Sequence, residues 1–180
     1  MKKKVAFITG RFQPIHKGHQ LLVDKAFSLS KNVVIMICSA QESRTKNNPL
    51  SFEERKNLIK KIYPDAIIIP VQDMGIGNNE KWGDFLLSVL DSYGYEAKFF
   101  VTGEEKRRVS WFKNEVLENM EIISISRNKI VISGTEIREA IKNDDYLKIK
   151  KFVPNEIAND LMELKKVFIE SEENKDTKSI

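Results

Sequence analysis

The chain has 180 residues, 41% of them hydrophobic and 31% charged, which fits one globular domain and excludes wholesale disorder or a collagen-like repeat. Its net charge of +4 is too small a surplus to indicate a nucleic-acid partner by itself, and its one cysteine, Cys38, excludes an internal disulfide. No apolar run approaches the roughly 20 residues that span a bilayer, so we expect a cytoplasmic protein with no membrane or nucleic-acid partner.

Five short apolar runs along the chain predict buried strands. They cover residues 5–9, 33–38, 66–71, 99–102 and 122–125. Because the runs are nearly continuous rather than alternating, they are typical of strands covered on both faces of a parallel sheet.

Helical patterns separate the first four of these runs. One pattern covers residues 18–30 and another covers residues 80–93, each with apolar side chains at helical spacing. Ser51 and Glu54 form an S-x-x-E capping box, which predicts a third helix that extends through Ile62. Strands that alternate with helices predict a doubly wound α/β sheet with right-handed crossovers.

The last third of the chain is predicted to be helical. Ser133 and Glu136 form a second capping box, and Pro154 suits the first position of a further helix. Behind Pro154, apolar residues repeat at intervals of four, three and four: Ile157, Leu161, Leu164 and Phe168. The fold class is therefore α/β, a Rossmann-like parallel sheet of about five strands with C-terminal helices. We expect one domain over residues 1–168 and a flexible polar tail over residues 169–180.

The turn after the first predicted strand carries the main functional signal. It reads G-R-F-Q-P-I-H-K-G-H from Gly10 to His19, and ligands of open parallel sheets bind beyond the carboxyl ends of the strands. Both histidines fall at a predicted helix N-terminus, where free N–H groups and the helix dipole favour an anion. Arg11 and Lys17 add positive charge. Since neither a Walker sequence nor G-x-G-x-x-G occurs in the chain, we predict a different kind of polyphosphate cradle.

His16 and His19 could instead be zinc ligands. A zinc site needs three or four ligands, but the chain has no further histidine and only one cysteine. The ligand count disfavours zinc, and we predict no metal site built from protein side chains.

Two segments resemble the signatures of the nucleotidylyltransferase superfamily. Residues 16–19 match (H/T)-x-G-H, and residues 132–138 match I-S-x-T-x-x-R. The longer string from Gly10 to His19 is similar to the archaeal-type nicotinamide-nucleotide adenylyltransferases. Shorter matches to that family are Ser39-Ala40-Gln41, Pro49 with Glu54-Arg55, residues 70–73, and Asn79 with Trp82. The similarity spans about residues 4–165.

The resemblance implies transfer of AMP from ATP to nicotinamide mononucleotide (NMN), giving NAD and pyrophosphate by direct in-line attack. It implies three catalytic residues, His16, His19 and Arg138. The residues implied to bind ATP are these three with Gly10, Arg11, Phe12, Gln13, Gly18, Gly103, Ser133, Gly134 and Thr135. Those implied to bind NMN are Phe12, Ser39, Gln41, Asn79 and Trp82. The family also implies Mg²⁺, held mainly by the ATP phosphates, and a homo-oligomer.

Two other functions stay open at this point. The same chemistry could act on another phosphorylated acceptor, such as phosphopantetheine, or the chain could be a catalytically idle nucleotide-binding regulator. The Arg11-Phe12-Gln13-Pro14 string and the Asn79 and Trp82 pair favour NMN. The presence of both histidines and Arg138 favours an enzyme, whose attacking phosphate oxygen needs no serine, cysteine or general base.

The two tryptophans have competing interpretations. Trp82 lies on the apolar stripe of its predicted helix and could be a core residue, but the family places a tryptophan here against the nicotinamide ring, and we expect stacking. Residues 107–112, around Trp111, form a basic and aromatic strip that could contact nucleic acid. We interpret this strip as one amphipathic helical turn with Trp111 partly buried.

The sequence departs from the family pattern in two places. Asn47 stands two residues before Pro49, where the family carries a basic residue, so Arg44 or Lys46 is expected to supply the charge. The segment from residue 73 to 82 is two residues longer than in the family.

Overall fold

The computed structural model describes residues 2–75, 77–103, 108–126 and 132–174. Five strands form its sheet: β1 (Lys3–Gly10), β2 (Val33–Ile37), β3 (Ile67–Pro70), β4 (Tyr95–Thr102) and β5 (Glu121–Ser124). The strands lie in the order β3-β2-β1-β4-β5, and every neighbouring pair is parallel. The predicted parallel sheet of about five strands is confirmed.

Eight α-helices lie within the described residues. They are α1 (Lys17–Leu29), α2 (Phe52–Ile62), α3 (Asn79–Ser92), α4 (Asn114–Leu117), α5 (Gly134–Lys142), α6 (Tyr146–Phe152), α7 (Asn155–Glu163) and α8 (Lys165–Glu170). None of the helices in this part of the chain is long and apolar enough to cross a membrane.

The centre of the sheet is buried on both faces because β2 is apolar throughout and β1 is apolar from Val5 to Ile8. In β1, Ala6 and Ile8 join the core formed with α1, α2 and the C-terminal helices, whereas Val5 and Phe7 join the core formed with α3. Alternate side chains of a strand point to opposite faces, so a continuous apolar run serves both layers.

The C-terminal region differs from the sequence-based expectation in its segmentation. The single helix expected behind Pro154 is two helices, α7 and α8, which meet at Leu164. The backbone of Leu164 has φ −81° and ψ 1°, outside the helical region, so the helix is interrupted there. Pro154 precedes α7 as its N-cap instead of occupying its first helical position.

Part of the expected polar tail is folded. Helix α8 extends through Glu170, a 3₁₀ turn covers Ser171–Glu173, and Ser171 is 1% exposed. Glu172 forms ion pairs of 2.7 Å with both Lys46 and Lys142. Asn174 accepts a hydrogen bond from the Lys46 amide at 3.0 Å, so this segment ties down the loop after β2. Residues 175–180 of the expected tail lie outside the described residues.

Candidate active site

The candidate site lies at the carboxyl ends of β1 and β4. These neighbouring strands lead to connections on opposite sides of the sheet, and this arrangement opens a crevice between them. A cavity of about 490 Å³ fills the crevice, between the β1–α1 turn, the end of β4 and the start of α5. Six residues predicted for the ATP site line this one cavity: Gly10, His16, Gly18, His19, Gly103 and Ser133.

The two histidine rings are in contact at the start of α1. His16 is the N-cap of α1 and its ring lies 3.9 Å from that of His19, whose other neighbour is the Phe12 ring at 4.7 Å. The backbone N–H of His16 donates to Nδ1 of His19 at 3.3 Å. Because Nδ1 of His19 accepts this bond, the proton of the neutral imidazole belongs on Nε2.

Both imidazoles are neutral at physiological pH. Burial lowers the pKa of His16 to about 4, against an opposing effect of the Glu136 carboxylate. Burial, together with the nearby His16, also lowers the pKa of His19 well below its ordinary value. Each ring therefore carries one N–H group and no positive charge.

Phe12 packs against the ring of His19. It is 2% exposed and belongs to the hydrophobic core, and its backbone has a φ of 51°, in the left-handed region. Such a conformation in a residue other than glycine is unusual and is found at functional turns. In this structure the Phe12 ring is buried against the His19 ring, and Phe12 positions His19.

Two predicted site glutamines bind backbone. The Gln13 amide donates to the Leu50 carbonyl at 2.8 Å and accepts from the Leu50 N–H at 2.9 Å. The Gln41 amide makes the same pair of bonds with Asp73, at 3.2 and 3.1 Å. Each amide thus acts as a bridge between two loops at the carboxyl edge of the sheet, and these side chains position the site's walls.

Arg55 is a positioning residue whose role the sequence reasoning missed. It is fully buried and donates to the carbonyls of Arg11 (3.0 Å), Cys38 (2.9 Å), Ser39 (3.0 Å) and Ser51 (3.2 Å). Burial lowers its pKa to about 10, so it stays charged at neutral pH. A signal existed, because position 55 falls on the apolar stripe of α2 with the buried Leu58 and Ile59.

The predicted capping box at α5 is confirmed. The Glu136 N–H donates to Ser133 Oγ at 3.3 Å, and the Glu136 carboxylate accepts from the Ser133 N–H (2.9 Å) and hydroxyl (2.8 Å). These hydrogen bonds lower the pKa of Glu136. A carboxylate therefore sits at the helix N-terminus that faces the cavity.

The two signature segments meet directly. A Cβ atom at Gly134 would lie 2.9 Å from the Gln13 carbonyl oxygen, so this position accepts only glycine without a shift. Arg138 donates to the same carbonyl at 2.9 Å and to Thr135 Oγ1 at 3.0 Å. In this structure Arg138 joins α5 to the β1–α1 turn.

The cations of the β1–α1 turn are placed differently from the expectation. The ammonium of Lys17 donates to the carbonyls of Lys150 (3.2 Å) and Lys151 (2.9 Å), which end α6. Cations stabilise helix C-termini in this way. Lys17 therefore holds the end of α6 in this structure, and its contribution to the phosphate cradle stays a prediction, whereas Arg11 is exposed.

The residues expected to bind NMN are only partly brought together. Asn79 donates to Ser110 Oγ at 3.2 Å, and the half-buried Trp82 lies edge-on to Trp111 with ring centroids 6.3 Å apart. Gln41 instead lines a separate, mostly apolar cavity of about 500 Å³ beside α3. Ser39 is 6% exposed, and its backbone has a φ of 50°.

The loop after β2 keeps its cations in ion pairs. Arg44 forms a bidentate pair with Glu54, at 2.6 and 2.7 Å, which lowers the pKa of that carboxyl. Lys46 pairs with Glu172 at 2.7 Å. The positive charges expected from Arg44 or Lys46 are thus paired with Glu54, on α2, and with Glu172, in the C-terminal segment.

Comparison with known proteins identifies relatives along most of the chain. A family model described as cytidylyltransferase-like matches residues 7–140. The nicotinamide-nucleotide adenylyltransferase of Methanococcus vannielii is 31% identical over 164 residues, which cover 88% of this chain and 88% of that protein. The nicotinamide-nucleotide adenylyltransferase of Thermoplasma acidophilum is 38% identical over 144 residues, covering 77% of this chain and 75% of the relative.

Solved structures share the fold. A bifunctional NMN adenylyltransferase/ADP ribose pyrophosphatase from Francisella tularensis, complexed with AMP and a manganese ion, matches with a TM-score of 0.68 at 21% identity. The match covers 96% of this chain and 52% of that protein, so this chain spans about half the length of the solved enzyme. The likeness confirms the Rossmann-like α/β fold.

Proposed function

This chain belongs to the cytidylyltransferase-like family, and on that basis we propose that it transfers AMP from ATP to NMN, giving NAD and pyrophosphate. The observation that carries the proposal is the joining of both signature segments around one cavity: His16, His19 and Ser133 line it, and Arg138 ties its two walls together. The named archaeal relatives, at 31% and 38% identity, support NMN as the acceptor.

The reaction needs positioning and charge neutralisation more than proton transfer. A phosphate oxygen of NMN attacks the α-phosphorus of ATP; the new P–O bond forms as the bond to pyrophosphate breaks. His19 supplies an Nε2–H donor to the phosphoryl oxygens from the start of α1, and the start of α5 lines the same cavity. A phosphate nucleophile is already ionised, so no general base is required.

The cavity suits a magnesium ion bound chiefly through the substrate. Among the described residues that line it, Glu136 carries the one carboxylate, and Ser133 holds that group with two hydrogen bonds. Mg²⁺ usually takes one or two carboxylates and completes its shell with water and phosphate oxygens. When bound, the ion would neutralise charge on the phosphates.

Pyrophosphate release tests the proposal. Purified protein is incubated with ATP, Mg²⁺ and, in turn, NMN, nicotinate mononucleotide and phosphopantetheine. We expect pyrophosphate and NAD with NMN. Release with phosphopantetheine alone would move the acceptor to another class, and ATP binding without release for any acceptor would indicate an idle regulator. We also propose a homo-oligomer, as the family resemblance implies, which light scattering tests.

Arg138→Lys is expected to raise the Michaelis constant for ATP about tenfold. Lysine keeps the charge but loses the planar fork that suits phosphate oxygens. Because Arg138 also bonds the Gln13 carbonyl and Thr135, thermal melting must accompany the kinetics. A lowered melting temperature with unchanged ATP kinetics would leave Arg138 a structural brace and contradict the phosphate role.

Trp82→Ala is expected to raise the Michaelis constant for NMN up to about tenfold and to leave ATP binding nearly intact. A stacked aromatic pair contributes roughly 0.5–1.5 kcal/mol beyond its buried area. Trp82 is half-buried and touches Trp111 and Phe85, so kinetics and melting are measured on the same variant. A large loss of stability that weakens both substrates equally would make Trp82 a core residue.

A further inference from the structure

Arg108 lies on the segment after β4 and lines the crevice. Its guanidinium carbon lies 3.9 Å from the ring centroid of Trp111, and its side chain lines the 490 Å³ cavity with His16 and His19. Burial raises the pKa of the Cys38 thiol to about 11, and the charge of Arg108 is the strongest influence opposing that rise. Arg108 therefore lies at the carboxyl edge of the sheet, beside the ends of β1 and β4.

The stacking partner of Arg108 is closely packed. Trp111 is 7% exposed and packs against Phe100, with ring centroids 6.1 Å apart and an angle of 23° between the rings. A Cβ atom at Gly83 would lie 1.7 Å from the Trp111 carbonyl oxygen, which shows how closely α3 approaches this residue. A guanidinium on such a platform is held in place before a ligand arrives.

The charges around the cavity make Arg108 distinctive. Among the described residues that line it, Arg108 is the one with a permanent positive charge, since burial keeps His16 and His19 neutral and Glu136 is negative. A site that holds two phosphorylated substrates needs positive charge where their phosphates meet. Arg108 is the lining residue that provides it.

We propose that Arg108 binds the 5′-phosphate of the acceptor mononucleotide and presents it to the α-phosphorus of ATP. The inference rests on the proposed adenylyltransferase function. The acceptor side is favoured because Trp111 lies against Trp82, and the neighbouring Ser110 accepts a hydrogen bond from Asn79. Arg108 thus lies between these predicted acceptor residues and the histidines, where the attacking phosphate has to be.

The test compares NMN with nicotinamide riboside, which is the same molecule without the phosphate. Calorimetry gives the dissociation constants of both for the wild type, Arg108→Met and Arg108→Lys. We expect Arg108→Met to weaken NMN binding about ten- to a hundredfold, the range for a lost charged hydrogen bond, and to change riboside binding less than about twofold. Arg108→Lys should fall between the two, since it keeps the charge without the fork.

A second variant that also removes one positive charge tests whether Arg108 contacts the phosphate or only adds to the electrostatic potential of the region. Lys113 is exposed and pairs with Asp84 at 2.8 Å, and it does not line the cavity. Lys113→Met removes one positive charge from the same region and is expected to leave the affinity for NMN within about twofold. Riboside binding also reports whether either variant retains a folded acceptor pocket.

The ratio of the two affinities decides the outcome. An Arg108→Met variant that keeps the wild-type preference for NMN over the riboside would overturn the inference. Weaker ATP binding with an unchanged ratio would also overturn it and assign Arg108 to the ATP phosphates. Failure of the proposed function is separate, because it appears as a wild type that forms no NAD.

Discussion

His19→Ala is expected to lower kcat for adenylyl transfer on the order of a hundredfold or more, with much smaller changes in both Michaelis constants. The Nδ1 atom of His19 accepts from the His16 backbone N–H at 3.3 Å. Its Nε2–H is therefore a fixed donor at the cavity. A donor that strengthens its bond as charge grows on the phosphoryl oxygens stabilises the transition state more than the bound substrates.

Steady-state kinetics with ATP and NMN, together with thermal melting, measure this effect. Melting is needed because the alanine also removes the bond that His19 makes within the first turn of α1. His19→Gln restores an N–H donor without the ring and is expected to recover part of kcat. A folded His19→Ala protein with near wild-type kcat would exclude His19 from the mechanism.

The features that sequence reasoning predicted correctly are local. The capping boxes at Ser51 and Ser133 join residues three apart, and both are present. The apolar strands follow from composition over four to eight positions, and the two histidines fall on one helix turn. Short-range geometry of this kind is set by the backbone itself, so a pattern of residue types is enough to predict it.

The features that it missed join residues far apart in the chain. Lys17 bonds carbonyls 133 and 134 positions away, and Asn174 bonds Arg44 across 130 positions. From sequence alone, Lys17 is expected to contact a phosphate and the charged tail is expected to contact solvent. No residue close to either of them in sequence indicates another partner. The helix end that holds Lys17 and the loop that holds Asn174 exist only after the chain has folded.

The glutamines show the same limit inside the site. From sequence alone, Gln13 and Gln41 are interpreted as ligand contacts because they stand in family motifs. In the structure their amides pair with the backbone of Leu50 and Asp73, 37 and 32 positions away. Their direct contact with ATP or NMN stays a prediction, whereas their role in fixing the loops is observed.

Arg55→Met is expected to lower the free energy of unfolding by roughly 3–5 kcal/mol. The guanidinium makes four hydrogen bonds to carbonyls of Arg11, Cys38, Ser39 and Ser51, and each buried acceptor left without a donor costs about 1–3 kcal/mol. Methionine fills a similar volume, and removing the buried charge returns part of this cost, so the net loss is smaller than the sum. Urea unfolding measures it.

Arg44→Met on the neighbouring loop is the matched control. Arg44 is about half exposed, and its ion pair with Glu54 is screened by water, so we expect a loss of about 1 kcal/mol or less. Because Arg55 holds the carbonyls at the ends of β1 and β2, its loss should also reduce kcat even in conditions where the variant is fully folded. An Arg55→Met protein whose free energy of unfolding lies within about 1 kcal/mol of the wild-type value would contradict this stabilising role of Arg55. A destabilised variant with unchanged kcat would show that Arg55 stabilises the core alone. The loops of the site would then be positioned by the hydrogen bonds of Gln13 and Gln41.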